Sequence, residues 1–266
     1  MHNEDNEHQQ IKSSVGGWRI GKGVNSHGYD LLKDLVGKHS FFEVLILHAT
    51  GRLPENNFHI FVENVHLAMS YPDHRIWCNR IASLGATSGL EPCSSTLLGT
   101  MAQDSTGYGV GTLTACGQFL IKINEGLSHR TLKDLLETEI KKTRGKPKII
   151  GYSRPIANGD ERIAALKQVA VEQSLKTGKY EKLAFDIDHY LTGNYNESIN
   201  FSAYVSAVML DNGYTCDEIE RIYTFVVALG ALACYRDYSS QDSLAFKPLK
   251  ITDLEYTGKQ PRRLDD

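Results

Sequence analysis

The chain has 266 residues, enough to bury a substantial core as one large domain or as a large and a small lobe. Its 29 basic and 32 acidic side chains give a formal charge of -3, which offers no global field to a nucleic-acid backbone or an anionic membrane, so neither is an expected partner. Five scattered cysteines without a CxxC pair argue against a disulfide framework or a zinc knuckle, and no apolar stretch approaches the ~20 residues needed to cross a bilayer.

The N-terminus carries His2, Glu4, Asp5, Glu7 and His8 and no apolar run, so no secretory signal is expected and the protein reads as cytoplasmic. Residues 1–17 are polar, lack periodicity and end in Gly16-Gly17, which predicts a flexible tail before a domain spanning 18–266. From Ser40 the run to Leu47 carries a capping-box pattern, with Ser40 and Glu43 placed to satisfy the first free amides of a helix. Gly51 and Pro54 punctuate it. A second helix is predicted over Pro54 to Met69, because Phe58, Phe61, Val62, Val65 and Met69 recur at three- and four-residue intervals.

Further helices are predicted over Cys93 to Met101, Gly111 to Ile123, Thr131 to Lys142, Asp160 to Leu175, Tyr180 to Leu191, Ile199 to Leu210 and Asp217 to Ala233. The last opens with a second capping box, Thr215 and Glu218, and becomes so apolar through Phe225, Val226, Val227, Leu229 and Leu232 that burial in a core or a subunit interface is expected. Alternating strands are scarce, so the fold class is mainly α. The basic run from Lys141 to Lys148 reads as a solvated connection, with contact to a phosphorylated ligand as the alternative.

Several constellations carry little chemistry of their own. Gly107, Gly109 and Gly111 alternate without the strand-to-helix spacing of a phosphate loop. Cys116 reads as a buried structural thiol, since no base accompanies it. Asp186, Asp188 and His189 do not share one helix face, so a solvated face is expected there and no metal site.

Three places together resemble the citrate synthase family, including its short citryl-CoA lyase branch. Ser26-His27-Gly28-Tyr29-Asp30-Leu31, then Ser40 to Glu43, then Gly51-Arg52-Leu53-Pro54, is similar to the family's RGYDI…SFEE…GELP run. Gly151 to Arg162 looks like its GxGHxxxxxDPR segment, and Phe246-Lys247-Pro248 with Glu255-Tyr256-Thr257-Gly258 resembles its RP and EYxG pieces. The resemblance implies a two-lobed helical fold with the smaller lobe at approximately 118–215, an intertwined homodimer, and carbon–carbon bond making or cleavage on a CoA thioester as substrate, with no permanently bound cofactor.

The same resemblance assigns the site and shows where its reactive groups have changed. His74, in Asp73-His74, matches a substrate histidine; Arg162 matches a carboxylate-binding arginine; Arg154 stands in place of the histidine that engages the keto group. Arginine supplies a permanent charge but cannot exchange protons near neutral pH. Ser202, in Asn200-Phe201-Ser202, replaces the aspartate base of an NVD motif, and a serine hydroxyl is far too weak a base for an acidic carbon unaided. Val110 lies near the position of a histidine that polarises the thioester, Lys247 replaces one carboxylate-gripping arginine and Val227 lies near another. His74, Arg154, Arg162 and Lys247 are the expected contacts of a small anionic ligand, and Lys146, Lys148, Gly151 and Tyr152 those of CoA. Two functions remain open: an altered acyl-CoA lyase or synthase, and a non-catalytic homologue that binds CoA, a metabolite or a partner. A third variant has CoA abandoned and another small anion clamped by Arg154 and Arg162.

Overall fold

The computed structural model describes residues 11–105, 107–145, 147–153, 159–241 and 250–263. Arg154, Lys146 and Lys247 lie outside the described residues, as do residues 1–10 of the expected tail.

The first element corrects the boundary of that tail. Gly16–Arg19 forms β1, paired antiparallel with β2 (Gly23–Ser26), which pairs with β3 (Tyr29–Asp30). His27 and Gly28 both have positive φ, 48° and 89°, and join β2 to β3 as a two-residue hairpin turn of the kind that matches strand twist. Strands this short and glycine-rich leave no alternation to detect. One π-turn, Leu31–Leu35, follows, its first amides accepted by the Asp30 carboxylate.

Eleven α-helices, and a 3-10 turn at Ile251–Asp253, complete the described architecture. Helix α1 (Phe41–Thr50) has the capping box anticipated at Ser40 and Glu43, and Gly51 ends it at φ 80°. Helix α2 (Phe58–Met69) starts later than predicted, because Asn56 and Asn57 adopt left-handed conformations that delay it. Helix α3 (Trp77–Thr87) was not predicted: its buried positions include Asn79, Ser83 and Gly85, so no apolar stripe announces it. Then come α4 (Pro92–Met101), α5 (Val110–Gly126), α6 (Leu132–Lys142), α7 (Glu161–Glu172), α8 (Lys179–Tyr195) and α9 (Phe201–Asp211). Position 118, one edge of the expected smaller lobe, falls within α5, and 215 is the cap residue ahead of the next helix.

The predicted single helix over Asp217 to Ala233 is two: α10 (Cys216–Ile222) and α11 (Ala228–Ser239). Gln103 Nε2 donates to the Thr224 carbonyl, which takes that carbonyl out of a continuous ladder, and the two helices pack on different neighbours. Val226, Val227 and Ala231 are buried, but Phe225, Leu229 and Leu232 stay about half exposed, at 51%, 52% and 45%. Burial on most sides therefore does not hold within one chain.

The core centres on α5 and α9. Every residue from Phe201 to Met209 is buried, as expected of a helix covered on all sides, and Ser206 Oγ donates to the Leu113 carbonyl at 2.7 Å across the contact. A second group, α3, α4 and α11, packs through small residues: a Cβ on Gly99 would sit 2.6 Å from the Cys78 carbonyl oxygen. Ser95 Oγ satisfies the Ala82 carbonyl in the same seam.

Candidate functional site

A cleft of about 590 Å³ opens where four helices begin. Ile76 and Trp77 line it from α3, Tyr108 and Thr112 from α5, Asp160 and Arg162 from α7, and Asn200 and Ser202 from α9. Helix starts present unpaired amides and partial positive charge, so this arrangement favours an oxygen that carries developing negative charge. The α7 and α9 starts are capped by Asp160 and Asn200, which accept from Arg162 N and Ser202 N, whereas α3 and α5 have no side-chain cap.

Asp160 is the anchor between α7 and α9. Its Oδ1 accepts from Arg162 Nε at 2.8 Å and its Oδ2 from Arg162 Nη2 at 2.6 Å, while Phe201 N also donates to Oδ2 at 2.9 Å. The Arg162 guanidinium lies over the Phe201 ring, 4.4 Å from its centroid, and Nη1 faces Met69 Sδ. Elsewhere in the lining Asp73 and Arg75 repeat the motif, with Nε 3.1 Å from Oδ1 and Nη2 2.7 Å from Oδ2. The Arg75 guanidinium holds the Asp73 carboxyl down at about 2.

Ser202 faces this cleft with only neutral company. Its Oγ is 2.9 Å from Thr112 Oγ1, and Thr112 donates its own proton to the Gly109 carbonyl, which directs the Ser202 proton onto Thr112. Ser202 thus presents acceptor lone pairs and no activated nucleophile. Among the described residues no histidine lines the cleft, and its two carboxylates, Asp73 and Asp160, are both forked by arginine.

The 149–153 loop closes one side. Gly151 has φ 87°, and a Cβ there would lie 2.7 Å from Ala203 Cβ and 2.8 Å from Cys116 Sγ, so only glycine lets the loop sit against α9. Asn200 secures it, with its backbone N donating to the Gly151 carbonyl and its Nδ2 to the Ser153 carbonyl. Ile149 and Ile150 add apolar lining beside Met69, Ile76 and Trp77.

Three expected contacts fall elsewhere. His74 is not part of the lining: its Nδ1 is 2.9 Å from Ser83 Oγ and its Nε2 2.9 Å from Asp237 Oδ2, so it ties the 71–76 segment to α3 and α11. Tyr152 is completely buried beside the core and donates to the Ala184 carbonyl at 3.0 Å, a consequence of Gly151 turning the chain inward. Lys148 is exposed and away from the cleft lining. Val110 packs in the core, and Val227 is buried as the cap of α11. The structure brings together Gly151, Arg162 and Ser202 from the expected set, and adds Asp73, Arg75, Thr112 and Tyr108. The Asp-x-Arg spacing shared by residues 73–75 and 160–162 is the signal that could have linked the two pairs.

The remaining candidates behave as structural groups. Cys116 is wholly buried, and burial pushes its thiol far up, so it is no thiolate nucleophile. All five cysteines are unpaired. Asp186 and His189 are exposed, Asp188 Oδ1 accepts from Ile199 N at 2.7 Å, and no cluster of three or more potential metal ligands occurs among the described residues. In the basic connection, the described residues Lys141, Lys142, Arg144 and Lys148 are exposed. No described helix is long and apolar enough to cross a membrane.

No protein-family model and no curated protein sequence matches the chain. Solved structures do match. Citryl-CoA lyase from Hydrogenobacter thermophilus superposes with a TM-score of 0.76 at 23% identity, covering 96% of this chain and 97% of that one. ATP citrate lyase from Methanothrix soehngenii, solved in complex with citrate and coenzyme A, gives a TM-score of 0.77 at 15% identity over 94% of this chain and 42% of its own. Citrate synthase from Thermotoga maritima gives 0.64 at 18% identity over 84% and 58%. The chain therefore has the citrate-synthase-like helical fold, over nearly the full length of a citryl-CoA lyase.

Proposed function

We propose that the protein acts on a CoA thioester, making or cleaving a carbon–carbon bond with a substrate or mechanism altered from that of its structural neighbours. The observation that carries this reading is the cleft itself. Gly151, Ser153, Asp160 and Arg162, and Asn200 and Ser202, from segments whose sequences resemble the family's site motifs, meet there beside the uncapped start of α5. The role of polarising a thioester oxygen in place of a histidine falls in this reading to the uncapped start of α5, beside the lining residues Tyr108 and Thr112. The fold shared with a citryl-CoA lyase and with an ATP citrate lyase that binds citrate and coenzyme A supports the same substrate class.

One observation favours a second reading, a non-catalytic binder. Ser202 occupies the base position with its proton on Thr112, and both described carboxylates of the cleft are held by arginine, so no described group is free to take a proton from carbon. Hydrogen–deuterium exchange at the α-carbon of acyl-CoA separates the two. Exchange by the native chain supports the altered enzyme; CoA binding without exchange, together with exchange created by Arg154→His plus Ser202→Asp, supports the binder. Absence of both CoA binding and exchange overturns the CoA reading.

The homodimer belongs to the same proposal. Leu97, Leu98, Met101, Leu229 and Leu232, on the packed helices α4 and α11, leave apolar side chains 43% to 72% exposed residue by residue. A face contributed by two packed helices is of the kind that stable subunit contacts use, which bury on the order of 800 Å² per partner. A second copy of this chain is its expected occupant.

A further inference from the structure

We infer that the acyl group accepted in the cleft is hydrophobic and uncharged, in contrast to a di- or tricarboxylic acid; this rests on the CoA-thioester reading and names its substrate class. Three observations on the cleft converge.

The first is the pairing of its cations. Arg75 and Arg162 are the guanidinium groups among the described lining residues, and each is spent in the same way, Nε and Nη2 on the two oxygens of the aspartate two positions earlier. A fork already closed on a carboxylate offers an incoming carboxylate one remaining edge and no net charge. The four side chains sum to zero formal charge, so a dicarboxylate would lose its hydration without a countercharge from these walls.

The second is the surface between the two pairs. Met69, Ile76, Trp77, Tyr108, Ile149 and Ile150 supply aliphatic and aromatic contact. Trp77 and Tyr108 meet edge to face, 5.5 Å between centroids, and both are fixed by donating to carbonyls, Trp77 Nε1 to Ala102 and Tyr108 Oη to Met69, each at 2.9 Å. Their polar atoms are therefore engaged with backbone carbonyls and their rings serve as apolar walls. Burial keeps the Tyr108 phenol protonated far above neutrality, so it adds no charge.

The third is the polar provision that remains. Among the described lining residues Asn200 is engaged with the Ser153 carbonyl and the α9 amides. The neutral hydroxyls of Tyr71, Ser153, Ser202 and Thr112 with the uncapped start of α5 suit a polarised carbonyl, which is what a thioester with an aliphatic or aromatic acyl group presents.

The test is calorimetric titration of the full chain with isobutyryl-CoA, phenylacetyl-CoA, succinyl-CoA, CoA alone, citrate, and free phenylacetate. We expect the two hydrophobic thioesters to bind at least tenfold more tightly than succinyl-CoA and more tightly than CoA alone, with no heat from citrate. In Asp73→Asn, which frees the fork of Arg75, the affinity ratio of succinyl-CoA to isobutyryl-CoA should rise several-fold. Succinyl-CoA binding as tightly as isobutyryl-CoA, or citrate binding where phenylacetate does not, overturns the substrate class. Phenylacetate binding with no response to CoA or any thioester overturns the CoA reading but sustains the hydrophobic ligand. No binding by any probe overturns both.

Discussion

Replacing Asp160 with asparagine should destabilise the protein by about 3–4 kcal/mol, through a mismatch the amide cannot avoid. Asp160 is fully buried and its partner Arg162 is 17% exposed. Both of its oxygens are engaged: among the donors aimed at it are Arg162 N and Nε at Oδ1 and Arg162 Nη2 and Phe201 N at Oδ2. Asparagine keeps one oxygen, so either rotamer turns its NH2 group against donors that have no other room. An unsatisfied buried donor costs about 1–3 kcal/mol, and an unpaired buried charge about 3–5 kcal/mol. The remaining oxygen and the Phe201 ring beneath the guanidinium offset part of the sum. Denaturant unfolding followed by far-ultraviolet circular dichroism measures the loss, and for a chain of this size the melting temperature should fall by roughly 6–16 °C. Asp73→Asn is the internal control. It breaks a fork of the same geometry, but Arg75 is 86% exposed and solvent screens the pair, so the loss should be far smaller. Equal losses in the two variants, or a loss below about 1 kcal/mol for Asp160→Asn, would refute the view that the α7–α9 junction hangs on this carboxylate.

Gly151→Ala should cost about 2–5 kcal/mol, from a left-handed backbone and contacts with Ala203 and Cys116, and should weaken ligand binding because the loop forms one wall; parallel unfolding and titration curves check both. Arg52 pairs with Glu218 across the start of α10 and its guanidinium lies 5.2 Å from the Tyr214 ring centroid. Burial opposes the Glu218 charge, but the hydrogen bonds from Arg52 and Thr215 prevail and hold its pKa below 4.5. The stabilisation is therefore complete above about pH 4.5 and fades as pH falls through the folded value. Arg52→Met should lose about 1–2 kcal/mol at neutrality and flatten the acid limb of stability against pH; an unchanged acid limb would count against the pairing. Leu229→Glu on the exposed face should convert a dimer to a monomer in light scattering with an unchanged helical spectrum, and a monomeric native chain would remove the proposed interface.

Much of the fold was legible because local signals and tertiary demand agree. The capping boxes at Ser40 and Thr215 and the apolar stripe of α2 each belong to one segment and need no partner to be recognised. Helix α3 escaped because its buried face mixes the small Cys78 and Ala82 with Asn79, Ser83 and Gly85, whose burial is intelligible only once α4 and α11 lie against it. The β-hairpin escaped because four-residue strands carry too few alternations. The break between α10 and α11 depends on Gln103, more than a hundred residues away in the chain.

The site divides along the same line. By itself the sequence determined which residue types stand at the altered positions, serine at 202 and arginine at 154, and so which proton-transfer chemistry is missing, because side-chain acidity is a property of the residue. Only the tertiary structure decided what surrounds them. It turned Tyr152 into the core, took His74 out of the cleft to bridge Ser83 and Asp237, and closed Arg75 and Arg162 onto their own aspartates. Those outcomes depend on backbone direction and on distances between segments far apart in the chain, and the charge a ligand meets is set by such pairings rather than by the count of basic residues.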